Sequence, residues 1–228
     1  MNSATVGDAT YHQAVVDVLG ALAYAELSGS LRMAADADRA PDLTARVTLA
    51  RIGARSWDNY VRLEDLLGEL GESPEQVMSP FTRAVDDFHE RTQPRDWLEG
   101  LVKAYVGDGI ARDFYREVAR RVDPQTRDLM DSVLADQGQD DLLAATIGDA
   151  LDASPQDAGR LALWGRRLVG EAIAQTQRVA VERDALAALL VGAWDVPGAE
   201  SDLVELGRML TRLTEAHSVR MRRIGLSA

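Results

Sequence analysis

Residues 21–37 read ALAYAELSGSLRMAADA. Here and just upstream, Leu19, Leu22, Glu26, Ser30 and Met33 recur at spacings of three and four, the period of one helix face. The face is apolar except near its middle, where an acid stands. A carboxylate turned toward a core needs a partner or a proton, so Glu26 marks the point at which fold and chemistry meet.

Outward from this stretch the pattern repeats. Leu49, Ile52, Ser56, Asn59, Leu63, Leu66 and Leu70 form the stripe of a second helix, with two polar residues adjacent at its centre. After Pro94, the stripe Trp97, Leu101, Ala104, Asp108, Ala111, Tyr115, Val118 and Val122 has Asp108 as its one acid. In the next helix Leu129, Val133, Asp136, Leu143 and Ile147 recur, with Gln139 one turn beyond Asp136. A buried polar group left unpaired costs roughly 1–3 kcal/mol, so four coincident interruptions call for a common explanation.

Prolines and caps set the expected boundaries. Helices are predicted over about Asp8–Asp36 and Asp42–Leu70, with Pro41 near the second start and Gly71 as its stop. A shorter segment opens at Ser73-Pro74 and is bent by Pro80. Long helices follow from Pro94 to Val122, from Asp123-Pro124 to Ala153 and from Ser154-Pro155 to Val191; a last one covers Ser201–Ile224 after the Trp194–Gly198 linker. No stretch alternates as a strand does, and the reading is all-α.

Composition narrows the functions. The chain has 228 residues, 46% of them hydrophobic, which is enough for a packed core. Its formal charge of -12 opposes a nucleic acid held by general electrostatics. Zero cysteines exclude disulfides, thiolate metal sites and cysteine nucleophiles, leaving His12, His89 and His217 for imidazole chemistry. The start MNSATVGDAT lacks the basic and apolar regions of a secretory signal, and no continuous apolar run reaches the roughly 18 residues of a membrane span. A cytoplasmic protein without a membrane partner is expected.

The two halves match in spacing. Glu26 precedes Ser56 by 30 residues and Asp108 precedes Asp136 by 28, and each second member is followed three residues later by an amide, Asn59 or Gln139. One acid, a hairpin, then a polar pair at i and i+3, repeated twice, is the layout of di-iron carboxylate bundles. With YVGDGIARDFYREVA (105–119), VLADQGQ (133–139) and RLALWGRRLVGEAIAQTQRVA (160–180), the chain resembles the ferritin-like superfamily. More narrowly, it is similar to actinobacterial ferritin-like proteins related to the tRNA-modifying di-iron hydroxylases. The resemblance implies a single domain over 1–228: a ferritin-like four-helix bundle over about 8–153 and additional C-terminal helices over about 155–224.

The implied ligand set is incomplete. Carried over position by position, Glu26, Asp108 and Asp136 occupy carboxylate-ligand positions, Asp108 standing where a Glu would be. Ser56 replaces the fourth carboxylate, and Asn59 and Gln139 replace both histidines. Neutral amides are weak ligands for a transition metal, so a vestigial, metal-free and non-catalytic centre is expected, serving an interaction or small-ligand-binding module. The alternative is an oxidoreductase or hydroxylase that retains iron or another divalent ion, including a mononuclear site at the three acids.

Other readings concern what fills the centre. Ser56, Asn59 and Gln139 can hydrogen-bond with the acids, and Arg55 or Arg112 can supply a cation if it turns inward, although a surface or bundle-edge place is expected for both. Tyr24, Trp57, Tyr60, Tyr105 and Tyr115 are candidate walls of a pocket. His12 and His89 read as surface residues and His217 as a partly buried, hydrogen-bonded one. Gly107-Asp108-Gly109 lies within a helical pattern, so it is no phosphate loop; its glycines suit close packing or local unwinding. A homodimer is expected, with the two terminal helices covering either their own bundle or a second subunit, beside an unidentified protein or small-molecule partner.

Overall fold

The computed structural model describes residues 3–135, 138–190 and 203–228. Helix α1 (Ser3–Asp38) and helix α2 (Leu43–Glu69) form a long hairpin, and the Asp42 side chain caps α2 by accepting from the Ala45 N–H at 2.8 Å. Helix α3 (Pro74–Met78) and helix α4 (Thr82–Arg91) are separated by a tight turn, Ser79–Phe81, at the expected Pro80 bend. Helix α5 (Trp97–Ala119) starts three residues beyond Pro94, where Asp96 accepts from the Glu99 N–H at 2.8 Å. No strand occurs among the described residues, and the all-α reading stands.

Two expected helices are each divided. The segment from Pro124 is helix α6 (Pro124–Val133) and helix α7 (Gln139–Ala153), with Gly138 at φ 86° between them. That left-handed backbone is open to glycine at no steric cost and sets the start of α7, α6 having ended at Val133, where the sequence pattern alone continued the helix. The segment after Pro155 is likewise helix α8 (Ala158–Glu182) and helix α9 (Asp184–Leu190). Arg183 leaves the helical conformation at the junction, at φ -131° and ψ 86°, and its Nε donates to Asp17 Oδ2 at 3.0 Å. Asp17 is a buried acid of α1, and this ion pair outweighs helix continuity. Helix α10 (Leu203–Arg223) closes the described chain; the Trp194–Gly198 linker and the expected start at Ser201 lie outside the described residues.

The hairpin α1–α2 packs beside α5, α6 and α7, while α8, α9 and α10 cover α5 and α1 from outside. The terminal helices therefore cover their own bundle: Leu161, Leu168, Leu213, Met221 and Ile224 are all buried. Over Ala9–Asp38, α1 is long and apolar enough to cross a membrane by length and composition, and more than half of that window is buried inside the fold.

The core falls into two apolar clusters. One gathers Leu19, Leu22, Leu63, Leu67, Val118 and Met130; the other gathers Leu49, Ile52, Leu101, Tyr105, Leu143 and Ile147. Along α2 the boundary falls between Ile52 and Tyr60, and along α5 between Ile110 and Tyr115. The α2 interval contains Ser56 and Asn59, and the α5 interval contains Arg112, with Asp108 just before it. One detail of the α2 stripe differs: Leu67 is fully buried and Leu70 is exposed, because the helix turns its last buried contact toward α1 and α3.

Close approach fixes the hairpin against α3. A Cβ at Gly20 would lie 2.4 Å from Val77 Cγ1 and 2.7 Å from the Val77 carbonyl oxygen. Backbone must then move, so Gly20→Ala should destabilise the protein by roughly 1–3 kcal/mol, read as a lower urea midpoint. An unchanged midpoint would mean that α3 is not seated on α1 in this way.

Candidate functional site

The polar layer between the two clusters is built from α1, α2 and α5 and from the α6–α7 junction. Glu26 projects from α1, Ser56 and Asn59 from α2, and Asp108 and Arg112 from α5. Four of the six residues singled out as ligand positions or their replacements are thereby placed on facing helices. Gln139 opens α7 and has its own partner contacts, while Asp136 lies outside the described residues.

Glu26 has lost the solvation of its charge. Burial pushes its carboxyl pKa up to about 8, and the nearby charge of Asp108 pushes in the same direction. Hydrogen bonds from Asn59 and Ser56, and the charge of Arg55, oppose the rise without cancelling it. Glu26 is therefore mostly protonated at neutral pH. Asn59 is buried as well, and its Nδ2 donates to the Val133 carbonyl at 3.1 Å, tying α2 to the end of α6.

Arg112 is the largest departure from expectation. It is only 7% exposed, and its Nη1 donates to Asp108 Oδ2 at 2.5 Å. Its Nη2 donates to both carboxylate oxygens of Asp140, each at 2.5 Å. A surface or bundle-edge place was expected; the guanidinium instead joins α5 to α7 inside the polar layer. The fork geometry of Arg suits two carboxylates approached from different helices. Asp140 was not recognised from the sequence, although it follows Arg112 by the same 28 residues that separate Asp108 from Asp136.

Asp108 packs between Arg112 and the neighbouring helices, with its side chain still 41% open to water. Burial raises its pKa, opposed first by the Arg112 charge and more weakly by Arg55 and Arg220. Arg55 donates to the Ala135 carbonyl, so it spans from α2 to the α6–α7 junction rather than remaining in solvent. Arg220 comes from α10, pairs with Asp113 and crosses Gly109, where a Cβ would meet its Nε at 2.0 Å. Close packing is thus the role of Gly109, and α5 continues through 107–109 without unwinding.

The aromatic wall is not assembled as expected. Tyr24 donates to Asp86 at 3.0 Å, Tyr60 donates to Glu64 at 2.6 Å, and Trp57 is exposed on the outer side of α2. Tyr105 and Tyr115 are buried in separate apolar clusters; Tyr115 flanks Glu26, and burial followed by that acid's charge raises its phenol pKa. A cavity of about 130 Å³ lies elsewhere, lined by Met33, Asp36, Arg39, Leu49, Trp97 and Ala104 near the α1–α2 turn.

The histidines stand apart from the polar layer. His12 lies at the surface, 3.5 Å from Glu72. His89 was expected there too, but its Nδ1 is buried without a partner, and burial, helped by the Lys103 and Arg32 charges, lowers its pKa to about 3. His217 was expected to hydrogen-bond; it is buried with neither ring nitrogen partnered, because its side chain faces Gly165 on α8 and the apolar Met221 surroundings. Among the described residues, no three His, Asp or Glu side chains form a group able to hold a metal ion.

A search of curated proteins finds no match. A family model described as a ferritin-like domain of actinomycetes matches residues 9–193, spanning α1 to α9 and therefore every described helix that builds the polar layer. The chain belongs to the ferritin-like family of actinomycetes.

Proposed function

We propose that this chain is a metal-free, non-catalytic member of its family, in which an internal cation, Arg112, stands in for metal charge, and that it serves in the cytoplasm as an interaction or small-ligand-binding module. The observation that carries this reading is the fork from the buried Arg112 to Asp108 and Asp140. A pair of iron ions between four helices draws on ionised carboxylates and imidazoles. The donor set here does not fit that need. Asp108 is engaged by a guanidinium, Glu26 holds its proton to about pH 8, and Ser56, Asn59 and Gln139 are neutral.

The same chemistry weighs against a single ion at Glu26, Asp108 and Asp136, because a buried guanidinium next to Asp108 repels a second cation. The likeness to tRNA-modifying hydroxylases is accordingly read as one of scaffold rather than activity, and the net charge of -12 disfavours an RNA partner. The cavity near the α1–α2 turn offers a small ligand room for only a few heavy atoms.

Aerobic loading with ferrous iron, followed by desalting and elemental analysis, tests the reading. The expected result is far less than one iron per chain and no ligand-to-metal or oxo-bridge absorption. Stoichiometric iron with such bands would establish a metal centre in its place and favour the oxidoreductase alternative.

A further inference from the structure

Helix α2 has a second apolar stripe that the fold does not use. Leu43, Val47, Ala50, Ala54, Trp57 and Val61 alternate at spacings of four and three along one face. This face is turned away from the bundle: Leu43 is 73% exposed, Val47 40% and Trp57 46%, and Ala50 and Ala54 are exposed between them. Five apolar residues in register on solvent, continued by the half-buried Val61 at the edge of the core, are more than scattered surface hydrophobes, and a contiguous patch of this kind marks an interaction surface.

The stripe reads alike in both directions about its centre. Turned end for end about an axis beside Ile52, Leu43 meets Val61, Val47 meets Trp57 and Ala50 meets Ala54. A two-fold interface uses the same patch on both subunits and so demands this self-complementarity. The large residues fall away from the axis, while the two alanines at the crossing let the helix backbones approach closely.

Charge points the same way. The exposed bases Arg46 and Arg51 lie in the N-terminal half of α2, and the exposed acids Asp58, Asp65 and Glu69 lie in its C-terminal half. Arg55 of the first half and Arg62 of the second are engaged within the chain, with the Ala135 carbonyl and with Ser132, and Arg46 donates to the Asp38 carbonyl at 3.3 Å without losing its charge. This polarity opposes the helix's own dipole: α2 has no acid in its first turn and no base in its last. Beyond the Asp42 cap, an isolated helix gains nothing from such an order. An antiparallel copy brings the basic half against the acidic half and sets the two dipoles head to tail.

We propose that α2 is the homodimer interface of this protein and that it pairs antiparallel with α2 of a second copy about a two-fold axis next to Ala50 and Ala54. The inference is independent of the metal-free reading; iron content tests one and self-association the other.

Sedimentation equilibrium of the full chain should give a dimer, and Trp57→Glu should raise the dissociation constant by more than about tenfold while leaving the helical circular dichroism unchanged, because Trp57 is 46% exposed and meets the core only through the edge of Tyr60, 5.3 Å between ring centroids. The absence of native cysteine allows a direct check of direction. Leu43→Cys chains mixed with Val61→Cys chains should form a disulfide-linked dimer on mild oxidation. Each variant alone should stay unlinked, since equivalent positions then lie about 27 Å apart along the helix, far beyond disulfide reach. A monomer at every concentration, a dimer indifferent to Trp57→Glu, or efficient crosslinking of either variant alone would each overturn the proposal.

Discussion

Arg112→Ala should destabilise the protein by about 2–4 kcal/mol, less than for a wholly buried pair because the Asp108 side chain is 41% exposed and water screens that arm of the fork. Removing the guanidinium leaves Asp108 and Asp140 in the same part of the polar layer with their principal partner gone. Their mutual repulsion and lost hydrogen bonds then act together with the cavity left by the side chain. The measurement is the urea midpoint of the variant against the parent at neutral pH. Arg112→Lys should recover only part of the loss, because one ammonium cannot present a planar fork to carboxylates on two helices. Asp108→Asn combined with Asp140→Asn, placed in the Arg112→Ala background, should restore stability by removing the charges themselves. A loss below about 1 kcal/mol for Arg112→Ala, the value of an exposed pair, would show that Arg112 does not hold the layer together.

The second large effect is acid sensitivity from buried histidine. His217 is neutral in the fold, with burial lowering its pKa to about 4 and the Arg220 charge adding to the shift. In the unfolded chain it titrates near 6.5, so the unfolded state binds more protons between those values and stability falls as pH falls. The contribution is fully present above pH 6.5 and is lost through about pH 4. At about 1.4 kcal/mol per pKa unit, the lost stability amounts to roughly 3 kcal/mol. His89 acts in the same direction over a lower range, reaching about pH 3.

Glu26 acts in the opposite sense. Its raised pKa means that protonation favours the fold as pH drops from about 8 toward 4.5, so the curve has a maximum rather than a single slope. The difference between the parent and His217→Gln isolates the histidine. Urea midpoints measured from pH 7.5 to pH 4.5 should fall more steeply for the parent, and parallel curves would rule out His217 as a source of the acid loss.

Much of the fold was legible because helix periodicity and capping are local. The α1 and α2 boundaries, the Pro80 bend and the four polar interruptions follow from residues within a turn or two of one another. The break at Gly138 was not, since a glycine inside an apolar rhythm is compatible with either a helix or its end until neighbouring helices select the backbone. Arg183 shows the same limit, as its departure from α8 follows from Asp17, an acid far away in the chain.

The site divided along the same line. Glu26, Asn59 and Asp108 could be placed on inward faces from spacing alone, whereas Arg112 stands on the flank of its stripe and reaches inward through a long side chain. Nothing in the periodicity separates such an arginine from one that snorkels to water. Trp57 illustrates the converse: it was a candidate wall of the centre, but α2 carries two apolar stripes, and only the position of α1 and α5 decides which is covered.

By itself the sequence determined that this chain folds as an all-α bundle of its family and that each long helix interrupts its core stripe with a polar group. The tertiary structure alone decided how those groups are satisfied, which arginine enters the layer and which face of α2 remains on solvent. The physical reason is one of range. Angular position around a helix is set by the chain's own 3.6-residue repeat, whereas the pairing of Arg112 with Asp140 depends on where separate helices come to lie in space.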